Sequence, residues 1–327
     1  MIIPSWRGLR SACLCIAMLA AFDCSARAQT YPTGPVKLVT QGAAGSGPDV
    51  IARIVGDALG RYWGQQVLVL NHPGAGGVAA ARVAIGAPPD GYTLYMPATS
   101  SFIVMPEMFP NLPFKLDRDL APIGFVGEQP MIIAAVPSLG VKTLPELIAL
   151  SKQRPGQIFY AANARGTLPH LTVERFRDAS GADLTYVPYP GAAAGLQDMI
   201  GGRIQVIVEG PSALAGAIKG GAILPLALSS EQRVSEFPGV ATVAETVPGF
   251  TAMGWFPLLA PTGTPQAIID KISADLRTVL AQPELQKRFA DLGTFVRPMS
   301  PQQVAAFIQH EQSVWQPVVR RIGFGSK

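Results

Sequence analysis

Cysteine is nearly missing from this chain. Of 327 residues only Cys13, Cys15 and Cys24 are cysteines, and all three sit at the very start. With that start removed, the remainder can form no disulfide, no thiolate metal site and no thiol nucleophile. Histidine is as sparse: His72, His170 and His310 stand far apart and in no metal-ligand spacing, so no metal site is expected. Charge is low at 15% Asp, Glu, Lys and Arg, and basic runs of five or more are missing, which argues against a nucleic-acid partner. Beyond the first thirty positions no uninterrupted apolar stretch reaches the length of a bilayer span, so the protein is not expected to cross a membrane. Neither a Gly-Lys-Ser/Thr phosphate-loop ending nor a Gly-x-Ser-x-Gly elbow occurs. No pair of carboxylates is singled out for acid–base work. No cofactor is expected, and the chain does not read as an enzyme.

What is present is a chain with the apolar content of a globular protein. Hydrophobic residues make up 48%, with 34 glycines and 30 prolines, and the length allows about two domains. The net charge is +4. Half of that surplus belongs to the first 28 residues, where Arg7, Arg10 and Arg27 stand against Asp23. That stretch reads as an export leader: a positive start, a short apolar run Ser11–Phe22, and the small-x-small pattern Ala26-Arg27-Ala28. Residues 1–28 are therefore expected to be a signal peptide cleaved after Ala28, so that the mature protein is exported.

The rest alternates short β-rich runs with helical patterns. Val36–Thr40 reads as a strand, Gln41–Pro48 as a small-residue loop, and Asp49 as the start of a helix. Val50, Ile51, Ile54, Val55, Ala58, Leu59 and Tyr62 form its apolar face. Further strands are expected at Gln66–Leu70, Tyr92–Met96, Ile123–Val126, Met131–Val136, Ile158–Ala161, Leu184–Val187, Ile204–Val208, Leu224–Leu228 and Met253–Ala260. Thr143-x-x-Glu146 has the form of a capping box. Pro317 is expected to kink or end the last helix, which begins at Ser300. Such alternation predicts an α/β fold with parallel sheets flanked by helices. One unit recurs at long range: strand, glycine-containing loop and helix at Val36–Tyr62 and again at Ile158–Ala179. Two such units predict two similar lobes facing one cleft, with the loops at the carboxyl ends of strands where ligands bind.

The candidate ligand contacts follow from that geometry. In the first loop Gln41, Ala44, Gly45 and Ser46 surround backbone amides at a helix N-terminus, a setting that favours anions. Asp49 is the expected N-cap of that helix. In the second loop Asn163, Arg165, Gly166, Thr167 and His170 play the same part, Arg165 offering a fork suited to carboxylates. Thr99 and Ser100 follow a strand as a third wall, with Tyr189 and Glu209 at further strand ends.

These residues carry a resemblance. Tyr31-Pro32, Asp49-x-x-Ala52-Arg53, Asn71-x-Pro73-Gly74-Ala75-Gly76-Gly77, Pro89-Asp90-Gly91-Tyr92-Thr93-Leu94, Gly166-Thr167-x-x-His170-Leu171 and Trp255-Phe256-x-Leu258-x-Ala260-Pro261 stand in order along the chain. Together they resemble the periplasmic solute-binding receptors of tripartite tricarboxylate transporters, the Bordetella uptake gene family. The resemblance implies a type II periplasmic binding protein, a clamshell of two mostly parallel sheets with a hinge. Lobe 1 would be 29–127 plus 253–327 and lobe 2 128–252, with hinge strands near Val126–Gln129 and Met253–Phe256. It implies a small carboxylate ligand held by the loops Gln41–Asp49 and Asn163–His170, a monomer, and large and small integral membrane subunits as transport partners. A receptor presenting its solute to a sensor kinase, and an exported hydrolase, are the alternatives. Where the family often has Pro-Phe this chain has Gln41-Gly42, and it has Ser46 in place of a glycine and Arg165 in place of a small or amide residue. These departures predict a ligand with a more polar or more strongly anionic end, gripped by Arg165.

Overall fold

The computed structural model describes residues 31–323. The leader, its cleavage position and all three cysteines lie outside them. The chain divides into a short unit, Met1–Thr33, and a large one, Gly34–Lys327, and the fold is that of the large unit.

Twelve strands are described: β1 (Val36–Thr40), β2 (Val67–Asn71), β3 (Thr93–Met96), β4 (Leu120–Pro130), β5 (Ile132–Ala135), β6 (Phe159–Ala162), β7 (Thr185–Pro188), β8 (Val206–Glu209), β9 (Leu224–Leu228), β10 (Ala241–Thr242), β11 (Met253–Pro261) and β12 (Phe295–Val296). They form two six-stranded sheets, ordered β12-β4-β11-β3-β1-β2 and β10-β9-β5-β8-β6-β7. The helices of eight residues or more are α1 (Gly47–Trp63), α2 (Val78–Ile85), α3 (Leu144–Gln153), α4 (Leu168–Ser180), α5 (Ala192–Ile200), α6 (Pro211–Lys219), α7 (Gln266–Leu280), α8 (Pro283–Ala290) and α9 (Pro301–Ile322).

The fold is the expected two-lobe α/β type, but its sheets are mixed rather than mostly parallel. In the first, β2, β1 and β3 run parallel, whereas β11 is antiparallel to β3 and β4, and β12 to β4. In the second, β5 is antiparallel to both β8 and β9. The reversal comes from the strands that join the sheets. β4 stays in the first sheet to Pro130, and after Met131 alone β5 begins in the second. The return strand β11 then pairs along the length of β4, Gly254 opposite Gln129 and Trp255 opposite Glu128.

Local sequence explains the helix that matters most. Ser46 is extended (φ −76°, ψ 162°) and is the N-cap of α1, with Pro48 inside the first turn. A proline there costs nothing, because first-turn amides have no intrahelical acceptor. The helix thus starts ahead of Asp49, which is not its N-cap. Ile51, Ile54, Val55 and Leu59 are buried as the periodicity requires, each worth about 1.5–3 kcal/mol. Tyr62, in the last turn, is exposed.

Two further expectations change. Thr143 accepts from the Glu146 amide, but Glu146 Oε2 accepts from the Lys142 amide, one position before the reciprocal partner of a full capping box. Pro317 does not end α9, which runs on to Ile322. Pro317 lies on the exposed face, while Val304, Ile308, Trp315 and Val319 are buried and hold the helix past it.

Candidate functional site: a cleft between two helix N-termini

A cleft of about 500 Å³ opens between the sheets. The β1–α1 and β6–α4 loops face it, and β4 and β11 contribute Gln129, Gly254 and Phe256 where they pair. The two loops are built alike. Gly45 and Gly166 have φ of +79° and +85°, a left-handed conformation that glycine adopts without a Cβ penalty. Ser46 and Thr167 follow as extended N-caps, and Pro48 and Pro169 lie in the first turns. Asp49 Oδ2 accepts from the Gly45 amide at 2.8 Å, and His170 Nδ1 from the Gly166 amide at 3.4 Å.

Because Asp49 and His170 reach back past the caps, the cap hydroxyls are left over. Ser46 Oγ and Thr167 Oγ1 are both buried and have no hydrogen-bond partner, and both residues line the cleft. An unpartnered buried hydroxyl costs about 1–3 kcal/mol. Beside each stands the positive end of a helix, with the first-turn amides of Gly47 and Asp49, or Leu168 and His170, lacking intrahelical acceptors. Among the described residues lining the cleft there is no Lys, Arg or His. The donors present are therefore amides and hydroxyls, a set suited to a carboxylate.

Asp49 organises the first loop from outside the cleft lining. It is 2% exposed and takes Arg53 at 2.9 Å, Asn71 Nδ2 at 2.7 Å and the Gly45 amide. Asn71 also donates to the Gly42 carbonyl, tying β2 to the loop. Burial pushes the Asp49 carboxyl up, but these partners outweigh it and hold the carboxyl below its ordinary value. His170 is 4% exposed against the Tyr186 ring, and burial drives its pKa down to about 4, so it is neutral at pH 7.

Residues after β3 add a further wall beside the first loop. Gln41 donates to Ser100 Oγ at 2.9 Å and accepts from Ser101 Oγ, while Thr99 Oγ1 accepts from the Trp255 amide at 2.9 Å. Gln41, Thr99 and Ser100 all line the cleft. So do Asn163 and Glu209, which meet through Asn163 Nδ2 and Glu209 Oε1. Glu209 Oε2 accepts from the Gly210 amide at 3.0 Å. Burial pushes the Glu209 carboxyl up to about 7 in spite of these donors.

The structure thus brings Gln41, Ser46, Thr99, Ser100, Asn163, Thr167 and Glu209 to one cleft, and leaves Ala44, Gly45, Asp49, Arg165, Gly166, His170 and Tyr189 off its lining. Ala44 and Gly45 are exposed. Arg165 is exposed too, and its Nη2 donates to the Gly323 carbonyl beyond α9 at 3.4 Å. Tyr189 turns its hydroxyl to Asp198 at 2.7 Å, leaving the neighbouring Pro190 to face the cleft. Sequence reasoning missed the floor: Gln129, Met131, Leu168 and Phe256. Gln129 carried a signal, being a lone amide at the end of an apolar strand. It is buried, donates to Thr294 Oγ1 at 2.9 Å and the Leu292 carbonyl at 3.1 Å, and accepts from Ser212 at 3.3 Å.

Comparison with known proteins agrees with this geometry. Residues 51–324 match the tripartite tricarboxylate transporter family receptor. Protein BugT of Bordetella pertussis is 34% identical over 298 residues, 90% of this chain and 91% of the relative. The solved periplasmic binding protein BugD is 28% identical with a TM-score of 0.84, covering 90% of this chain and 100% of BugD. A second structure, R. palustris Rpa4515 with adipate, is 28% identical with a TM-score of 0.85 over 89% of this chain and 97% of the other. Paired helix N-termini over a shared cleft, the two-sheet architecture and these likenesses agree: the chain belongs to the Bug-type receptor family of tripartite tricarboxylate transporters.

Proposed function

We propose that this protein is an exported receptor that captures a small carboxylate between its lobes and delivers it to a tripartite tricarboxylate-type membrane transporter. The observation that carries the reading is the pair of buried, unpartnered hydroxyls, Ser46 Oγ and Thr167 Oγ1, each on the N-cap residue of a helix that opens on the same cleft. A carboxylate there satisfies both and meets two helix dipoles, each worth about 0.3–1 kcal/mol and more when buried. The lobes are taken as 29–127 plus 253–327 and 128–252, with β4 and β11 as the hinge. Contacts from both loops favour the closed state. Adipate in Rpa4515 supports the ligand class. Family membership supports large and small membrane subunits as partners and a periplasmic location after removal of residues 1–28. Among the described residues no helix is long and apolar enough to cross a membrane.

A thermal-shift screen against mono-, di- and amino-carboxylates tests the reading. A ligand at 100 times its Kd stabilises by about 2.7 kcal/mol, a rise of several degrees. The same ligand should lose most of its shift on a Ser46→Ala/Thr167→Val variant. Silence across the whole panel, or a shift untouched by the double substitution, refutes the reading.

A further inference from the structure

We propose that Glu209 and Asn163 form an acceptor corner that selects a carboxylate bearing a protonated amine, and that the cleft rejects di- and tricarboxylates. The inference rests on the reading that the helix N-termini hold one carboxylate, and adds what the rest of the ligand must be.

Glu209 is the only ionisable residue among the described residues lining the cleft. It is 3% exposed, at the end of β8, and it accepts from two neutral donors, the Gly210 amide and Asn163 Nδ2. A carboxylate has about four acceptor sites, so two neutral donors leave it capacity. Beside it Asn163 Oδ1 is buried with no hydrogen-bond partner. Two acceptors thus converge on one corner and call for a donor the protein does not supply. The remaining wall, with Met131, Leu168 and Phe256, is apolar.

The corner lies close to the anion end. A Cβ on Gly47, in the first turn of α1, would stand 3.2 Å from Gln129 Oε1, and one on Gly210 would stand 3.0 Å from Gln129 Cδ. One amide side chain therefore separates the N-terminus of α1 from the Glu209–Gly210 strand end. A ligand a few bonds long spans the two.

Charge decides the class. A ligand with a second carboxylate would set that group against the buried acid of Glu209, where like charges repel once both are ionised. A carboxylate bearing an ammonium is net neutral, satisfies the cap hydroxyls at one end, and gives Glu209 and Asn163 an N–H donor at the other. Hydrogen bonds to a charged partner are the strong ones. The raised pKa of Glu209 fits a carboxyl that lacks its counter-charge until ligand arrives.

Calorimetry of the intact protein at pH 8 with four six-carbon probes tests this: hexanoate, 2-aminohexanoate, 6-aminohexanoate and adipate. One of the amino acids should bind at least about ten-fold tighter than hexanoate, with adipate the weakest. Glu209→Gln should bring the amino-to-hexanoate ratio close to one and strengthen adipate, and Asn163→Leu should shrink the ratio partway. Adipate binding tightest to the unaltered protein overturns the inference, as does an amino preference that survives in a folded Glu209→Gln. In both cases carboxylate capture still stands. No binding by any of the four, with the wider carboxylate panel silent as well, overturns capture and inference together.

Discussion

Glu209 and His170 carry opposite pH dependences that conceal each other, and removing one should expose the other. Both are buried, one at the end of β8 and one in the first turn of α4. Burial raises Glu209 from an ordinary 4.5 to about 7. Between those values the folded protein keeps a proton that the unfolded chain has lost, so stability falls as pH rises through that window. At about 1.4 kcal/mol per pH unit the total is roughly 3 kcal/mol. Burial lowers His170 from 6.5 to about 4, and the Gly166 amide donating to Nδ1 needs the neutral ring. Here the unfolded chain takes the proton first. Stability is full above pH 6.5 and is lost as pH falls toward 4, again by roughly 3 kcal/mol. The two slopes oppose each other over nearly the same window, so their sum in the native sequence is almost flat. Glu209→Gln should lose about 3 kcal/mol relative to the native protein between pH 7.5 and 4.5. His170→Gln, whose amide oxygen can still accept from Gly166, should gain a similar amount over the same interval. Urea unfolding of ligand-free protein at four pH values and constant ionic strength measures both, and differences against the native chain cancel every other group. Parallel profiles for Glu209→Gln and the native protein, within about 1 kcal/mol, would show that Glu209 titrates as a solvated acid and refute the reasoning.

Three other substitutions address the loops. Asp49→Ala leaves Arg53, Asn71 and the Gly45 amide around an empty site, and should cost about 2–4 kcal/mol in urea unfolding, with ligand affinity falling as the loop loosens. Gly77 has φ +102°, and a Cβ there would stand 2.5 Å from Ser101 Oγ and closer still to Gln41 Oε1. Gly77→Ala should therefore cost about 1–3 kcal/mol and dislodge Gln41 from the cleft wall, so a variant with native stability and native affinity would contradict this packing. Arg165→Ala should leave affinity within about two-fold, since its guanidinium reaches Gly323 outside the cleft, and a large loss in calorimetry would return Arg165 to the site.

The sequence made the two loops legible for a local reason. A left-handed glycine and a proline in the first turn each restrict the backbone by themselves, so Gly45-Ser46-Gly47-Pro48 and Gly166-Thr167-Leu168-Pro169 mark a loop running into a helix without tertiary help. Asp49 was misread because an acid near a helix start has two uses. As N-cap it would bond its own helix; as the third helical residue it bonds back to Gly45, and only the placement of Ser46 decides between them. The direction of Arg165 was not legible either, because charge complementarity says nothing of where a side chain points, and here its guanidinium reaches the Gly323 carbonyl. The antiparallel strands were illegible for a different reason. β4 and β11 are more than a hundred residues apart, and their pairing is a long-range choice that hydrophobic period alone does not encode. That choice sets the function. The helix starts are written locally and would bind an anion weakly anywhere on a surface. It is the pairing of Gln129 with Gly254 that brings both starts, and Glu209 with them, to the walls of one cleft. Substitutions in the loops should accordingly change which solute binds, whereas substitutions along β4 and β11 should change whether a cleft forms at all.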